Sequence, residues 1–126
     1  MAAVLLRTVS HSVGSDRLIC ARSWKKAQTE FERALTLDPS NHTAAYQLGE
    51  VYTRQKKWEK AVEPLEEALK GSPGNPRYHF KLGEALFEQE KYDLARAEFE
   101  SAIKLSKTFY LAYYFLGRVH AKQDHP

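Results

Sequence analysis

The chain has 126 residues, a single cysteine and a formal net charge of +3, with 43% hydrophobic and 28% charged residues, the profile of one small globular domain. No apolar run approaches the ~20 residues of a membrane-spanning helix, and Cys20 alone builds neither an internal disulfide framework nor a paired-thiol zinc site. The positive excess sits at the ends, +2 over residues 1–22 and +1 over 110–126, while 23–109 is neutral, so the middle of the chain carries no basic footprint for nucleic acid.

Residues 1–22 hold Arg7, Arg17 and Arg22 against one acid, Asp16, with several hydroxyl residues and an apolar start. That composition suits a mitochondrial presequence, and it equally suits a degenerate helix or a disordered tail because Ser10, Ser12, Gly14 and Ser15 are weak helix formers. Localisation is accordingly mitochondrial or cytoplasmic. From Trp24 onward the pattern is helical, and six helices are predicted at about 24–37, 42–55, 59–71, 76–89, 92–105 and 109–123. Asp38-Pro39-Ser40-Asn41 ends the first and offers a cap to the second. Pro64 lies inside the third, where a proline beyond the first turn predicts a bend or a late helix start. In Gly74-Asn75-Pro76, Asn75 can cap and Pro76 can take the first helical position of the fourth. Thr108 is the cap expected for the sixth.

These elements repeat. Gly49, Gly83 and Gly117 stand 34 residues apart, each after a leucine (Leu48, Leu82, Leu116), and Trp24, Trp58 and Tyr92 keep the same spacing. So do Ala27, Ala61 and Ala95, then Phe31, Leu65 and Phe99, then Ala34, Ala68 and Ala102. Small residues at fixed places let two helix backbones approach to the ~8–10 Å of close packing, and the large ones fill the space between. Leu48-Gly49-x2-Tyr52, Ala61-x3-Leu65 and Pro73, then Leu82-Gly83-x2-Leu86 and Ala95-x3-Phe99, resemble the tetratricopeptide repeat (TPR).

The resemblance covers about residues 24–123 and implies an all-α fold, a TPR-type α-solenoid of antiparallel helix pairs. Full repeats fall at about 42–75 and 76–109, flanked by half repeats at 23–41 and 110–126. The last half repeat has a first helix but no second. Its helix, 109–123, is apolar nearly all round, which suggests packing on a partner, on a second copy or on further chain.

No catalytic constellation emerges. The five histidines are scattered, no metal-ligand spacing occurs, and there is no phosphate-binding glycine loop. The carboxylates fall beside Lys and Arg on helices, as on a solvated face. No cofactor, metal or enzymatic activity is expected.

What the resemblance implies instead is a non-catalytic interaction module, an adaptor or assembly-type scaffold that holds a peptide or helix in the concave groove lined by the first helix of each repeat. Carried onto this sequence, the groove positions with functional chemistry are Tyr46, Glu50 and Arg54, then Arg77, Phe80, Lys81, Glu84 and Phe87, then Tyr114 and Arg118. Tyr46, Phe80 and Tyr114 stand 34 residues apart and are expected to stack as an aromatic column, either contacting ligand or wedging between repeats. The mixed charge predicts an amphipathic ligand. Co-chaperone TPR domains share a carboxylate clamp of Lys, Asn, Asn, Lys and Arg. In one register the corresponding residues are Ser12, Asp16, Gln47, Arg77 and Lys81, in the other Tyr46, Glu50, Lys81, Leu111 and Phe115. The full clamp is absent in both. Two rival readings are a TPR segment of a larger enzyme, whose activity lies elsewhere, and an RNA-binding helical repeat, which the neutral core disfavours.

Overall fold

A computed structural model describes residues 13–123, with side chains from Ser23 onward. Six helices follow one another: α1 (Val13–Leu37), α2 (His42–Arg54), α3 (Trp58–Gly71), α4 (Pro76–Glu88), α5 (Tyr92–Leu105) and α6 (Tyr110–Gln123). Every consecutive pair packs together, and among the described residues there is no strand. The solenoid expected from the 34-residue register is present.

Helix starts follow local chemistry. Asn41 accepts a hydrogen bond from the Ala44 N–H (3.0 Å), and Asn75 accepts one from Arg77 (3.0 Å) with Pro76 in the first helical position, so each side chain satisfies a donor the helix leaves free. Thr108 makes no such bond among the described residues; the chain enters α6 through a Phe109 N–H to Ser106 C=O bond of 3.1 Å. At the end of α2, Lys56 N–H reaches the Thr53 carbonyl and Lys57 N–H the Tyr52 carbonyl (3.0 and 2.8 Å), and Glu90 and Lys91 repeat this pairing at the end of α4. This is the Schellman ending, normally closed by glycine in left-handed conformation. Here Lys56 (φ 60°) and Glu90 (φ 62°) take that place.

Two boundaries differ from expectation. Helix α1 starts at Val13, not near 24, so residues 13–22 are helical and form no antiparallel partner for 24–37; the presequence, degenerate-helix and tail readings of residues 1–22 otherwise fall on residues 1–12, outside the described residues. Helix α3 begins at Trp58 and runs through Pro64 to Gly71 without a late start. The carbonyl that Pro64 cannot satisfy belongs to Lys60, which is exposed and so has water as an alternative partner.

The core lies between the helices of each repeat. Ala61, Leu65 and Ala68 on α3 and Ala95, Phe99 and Ala102 on α5 are each 0% exposed. The glycine column explains why. A Cβ on Gly49 would fall 2.6 Å from Leu65 Cγ, and one on Gly83 2.7 Å from Phe99 Cε1, so α2 and α4 can approach their partners only where a side chain is missing.

The first helices of successive repeats, α2 with α4 and α4 with α6, also touch one another, whereas α1, α3 and α5 do not. The stack is therefore tighter along α2, α4 and α6, and this is its concave side.

Candidate functional site

Phe80 and Phe87, expected on the groove surface, are 5% and 4% exposed. The Phe80 ring lies 5.8 Å from Phe99, 5.3 Å from Phe109 and 5.4 Å from Phe115, within the range of favourable aromatic pairs. It joins α4 to α5 and α6. The expected column of Tyr46, Phe80 and Tyr114 does not form: Tyr46 stacks on Tyr78 at 4.3 Å, Tyr114 meets Phe115 edge-on at 5.5 Å, and none of the three meets another. Rings of neighbouring inner helices meet out of register instead, Tyr46 of α2 on Tyr78 of α4 and Phe80 of α4 on Phe115 of α6.

Tyr46 is buried, and its hydroxyl has no hydrogen-bond partner among the described residues. Burial, with the Glu50 carboxylate adding to it, pushes the phenol up to about 12 despite the nearby Arg77 guanidinium. It is therefore a neutral phenol at any physiological pH. Glu50 is half-buried beside it, and Thr53 on the same helix returns its hydroxyl to the Glu50 carbonyl (2.7 Å). Lys81 reaches Glu84 one turn on at 3.5 Å, both half-buried. That pair turns inward the charge which the sequence offers as part of a clamp.

What remains open on the concave side is one arginine per inner helix. Arg54 on α2, Arg77 on α4 and Arg118 on α6 are exposed, and none has a carboxylate within ion-pair distance among the described residues. Two of them lie on aromatic faces. Arg54 sits 5.4 Å from the Trp24 ring, and Arg118 sits 4.8 Å from Phe87, 5.3 Å from Phe115 and 5.9 Å from Tyr114. A guanidinium placed over a ring gains from the ring's negative face while its N–H donors remain able to meet a carboxylate or carbonyl. Beside Arg118, Tyr114 is 61% exposed and Leu111 39%. The surface thus offers cations, exposed aromatic and apolar area, and the partly covered acids Glu50 and Glu84. Trp24, Tyr78 and Phe115 support it and were not among the residues expected there. Their signal is weak in sequence: Trp24 belongs to the Trp58/Tyr92 column, while Tyr78 and Phe115 differ in type from their equivalents at the 34-residue spacing (Ala44 and Ala112, Gln47 and Lys81).

Among the described residues no cluster of His, Cys, Asp or Glu could hold a metal ion, and no helix is long and apolar enough to cross a membrane. A depression of about 770 Å³, open to solvent and lined by none of the three arginines, lies between the α2–α3 turn and the end of α4, with Trp58, Lys57 and Lys91 in its lining.

Comparison with known proteins agrees with this architecture. Residues 21–102 match the family model described as "Anaphase-promoting complex, cyclosome, subunit 3", and residues 83–124 match that described as "TPR repeat". No curated protein matches the chain significantly. Similar solved structures include a crystal structure of MamA (24% identity, TM-score 0.79, covering 90% of this chain and 66% of that one). Another is MamA from Desulfovibrio magneticus RS-1 (24%, TM-score 0.79, covering 85% and 60%). The first TPR of Spaghetti (RPAP3), bound to the HSP90 peptide SRMEEVD, is similar at 18% identity and TM-score 0.78, covering 86% of each chain. The present chain spans less than two thirds of the length of these MamA chains. At such identities the structural likeness speaks to fold. With the family models spanning the repeats and the fold matching, the chain belongs to the tetratricopeptide-repeat family, of the kind described by the anaphase-promoting complex subunit 3 model.

Proposed function

We propose that the chain is a non-catalytic protein–protein interaction module, an adaptor that binds an extended or helical peptide along α2, α4 and α6. The observation that carries this reading is the row of three unpaired arginines, two of them laid on rings, beside the exposed Tyr114 and Leu111. A matching ligand is amphipathic, with carboxylates or carbonyl edges for Arg54, Arg77 and Arg118 and apolar side chains for Tyr114. Glu50 and the half-buried Lys81–Glu84 pair disfavour a uniformly acidic strand. Peptide capture by the RPAP3 TPR supports the mode of binding, while the incomplete clamp sets this chain apart from its specificity.

Selection from a displayed peptide library, followed by fluorescence-polarisation titration, tests the reading. Selected peptides should combine acidic and apolar residues, and SRMEEVD should bind weakly. Tyr114→Ala or Arg118→Ala should weaken a selected peptide by about 2 kcal/mol, roughly thirtyfold. Failure to select any binder, or unchanged affinity in both variants, would refute it.

A further inference from the structure

One face of α6 differs from the equivalent faces of α2 and α4. Tyr113, Gly117 and His120 are exposed there and Leu116 is half-buried, the four spaced as one helix stripe. The equivalent residues on α2, Ala45, Leu48, Gly49 and Tyr52, are all buried, as are Leu82, Gly83 and Leu86 on α4. Tyr113 is 50% exposed, and a Cβ on Gly117 would meet nothing within 4 Å. This stripe is where α3 lies on α2 and α5 lies on α4.

The other end of the chain shows the complement. Helix α1 packs on α2 as α3 packs on α4, but among the described residues it has no first helix of its own. Accordingly Ala27, Phe31 and Ala34 are only half-buried, where their equivalents on α3 and α5 are 0% exposed. The continuous helix from Val13 to Leu37 rules out residues 13–22 as that missing partner. Among the described residues one end thus presents a second helix without its first, and the other a first helix without its second, both carrying the residues of the same 34-residue pattern.

We infer that α1 of a second copy docks on α6, completing a composite repeat head to tail. Phe31 then lies on Gly117 as Phe99 lies on Gly83 and Leu65 on Gly49. Ala27 and Ala34 allow the same close approach as Ala95 and Ala102. Glu30 falls opposite Tyr113, the place where Glu98 meets His79 Nδ1 at 2.9 Å in the intact repeat, so a phenol can donate where the imidazole does. The contact is heterologous, the two surfaces being different, and it leaves a free face at each end for further copies. It uses none of the groove positions, so it stands or falls independently of the peptide-binding reading.

Sedimentation velocity over a hundredfold concentration range is the first test. A single helix-pair contact belongs to the small interface class, so association in the micromolar range is expected. Gly117→Leu has open space in the isolated chain but would occupy the seat of Phe31. It should leave helicity intact and weaken association at least ~10-fold. Ala27→Glu should do the same from the other side, and mixing the two variants should restore a dimer, because one good face of each kind remains. For an arm independent of their folding, Glu30→Cys and Tyr113→Cys chains, both on a Cys20→Ser background, should form a disulfide only when mixed. A monomer at all concentrations, Gly117→Leu that associates like the parent, or cross-linking within either single-cysteine protein alone would overturn the inference.

Discussion

Alanine in place of each glycine of the 34-residue column should change stability with opposite signs, although the three sites are equivalent in sequence. In an open helix the change gains about 1 kcal/mol, because glycine is the poorer helix former. Gly117 is such a site, with nothing within 4 Å of the added carbon. At Gly83 the new Cβ would sit 2.7 Å from Phe99 Cε1 and 2.9 Å from Cδ1, against the ~3.5–4.0 Å of favourable carbon contacts. The ring would have to retreat by about 1 Å. Phe99 is fully buried and flanked by Phe80 and Phe115 at 5.8 and 5.6 Å, so it has no free space to enter. Overpacking of this kind costs ~1–3 kcal/mol, which exceeds the gain in helix propensity. Gly49→Ala meets Leu65 Cγ at 2.6 Å and Cδ2 at 2.7 Å, also fully buried, and should behave like Gly83→Ala. Urea unfolding followed by far-ultraviolet circular dichroism, on dilute protein, reads the difference. Gly117→Ala should raise the midpoint and the other two should lower it, with thermal midpoints moving ~4–8 °C per kcal/mol for a domain of this size. If Gly83→Ala stabilised the chain as much as Gly117→Ala does, the close approach of α4 and α5 would not be what the glycine is for.

Phe80→Ala and Tyr114→Ala, one repeat apart, should separate packing from recognition. The first should cost ~3–5 kcal/mol of stability in denaturant titration, whereas the second, at a ring 61% exposed, should change it by less than ~0.5 kcal/mol. Tyr46→Phe should leave stability unchanged or raise it by about 1 kcal/mol, since it removes a buried hydroxyl that has no partner. In the parent chain the unfolded Tyr46 phenol ionises near its ordinary value of 10.0 and the folded one only at about 12. Between those pH values the unfolded state binds fewer protons, so stability should fall as pH rises, with no contribution from this group below that window. Tyr52, pushed up by burial and by its hydrogen bond to Glu32, contributes with the same sign. A flat stability profile across the window in the parent, identical to that of Tyr46→Phe, would contradict the assignment. Lys56→Gly and Glu90→Gly should each stabilise the chain by ~0.5–1 kcal/mol in urea, because both residues hold the left-handed conformation that glycine adopts freely; a loss of stability would refute that account of the turns.

Most of the fold was legible because a helical repeat writes its packing as spacing. The Gly, Ala and large-apolar columns placed α2 to α6 within a residue of where they lie. The same spacing failed at α1. The turns after α2 and α4 rest on Lys56 and Glu90 in left-handed conformation, residue types that carry no turn signal. Their counterpart 34 residues before Lys56 is Arg22, which sits inside a continuous helix instead. With no Gly or Pro marking the turn in any repeat, its absence at Arg22 could not be read. The late start expected at Pro64 does not occur, since a hydrogen bond missing on an exposed helix face can be replaced by water. For the groove, sequence position identified the face but not the depth of each residue. Phe80 and Phe87 occupy groove columns, yet the dense aromatic set on α5 and α6 draws them into the core. Only the coordinates show that Lys81 is already paired while Arg54, Arg77 and Arg118 are not.

The first helices present two stripes, one packed by a second helix and one open, and this separates what can vary from what cannot. Tyr113, Leu116, Gly117 and His120 on α6 belong to the stripe that a second helix covers, and its chemistry in the intact repeats is steric: a glycine, a large partner, alanines for close approach. Arg54, Arg77, Tyr114 and Arg118 belong to the other stripe, where exposure is high and side chains are held by rings rather than by the core. Substitution on the concave stripe therefore alters charge and shape with little effect on stability, which is the condition under which one scaffold can be fitted to different peptides. Substitution on the packing stripe has the reverse effect inside the array. At Tyr113, Gly117 and His120 of α6 it should meet no packing partner among the described residues, so that only the change in helix propensity reaches the stability of the isolated chain.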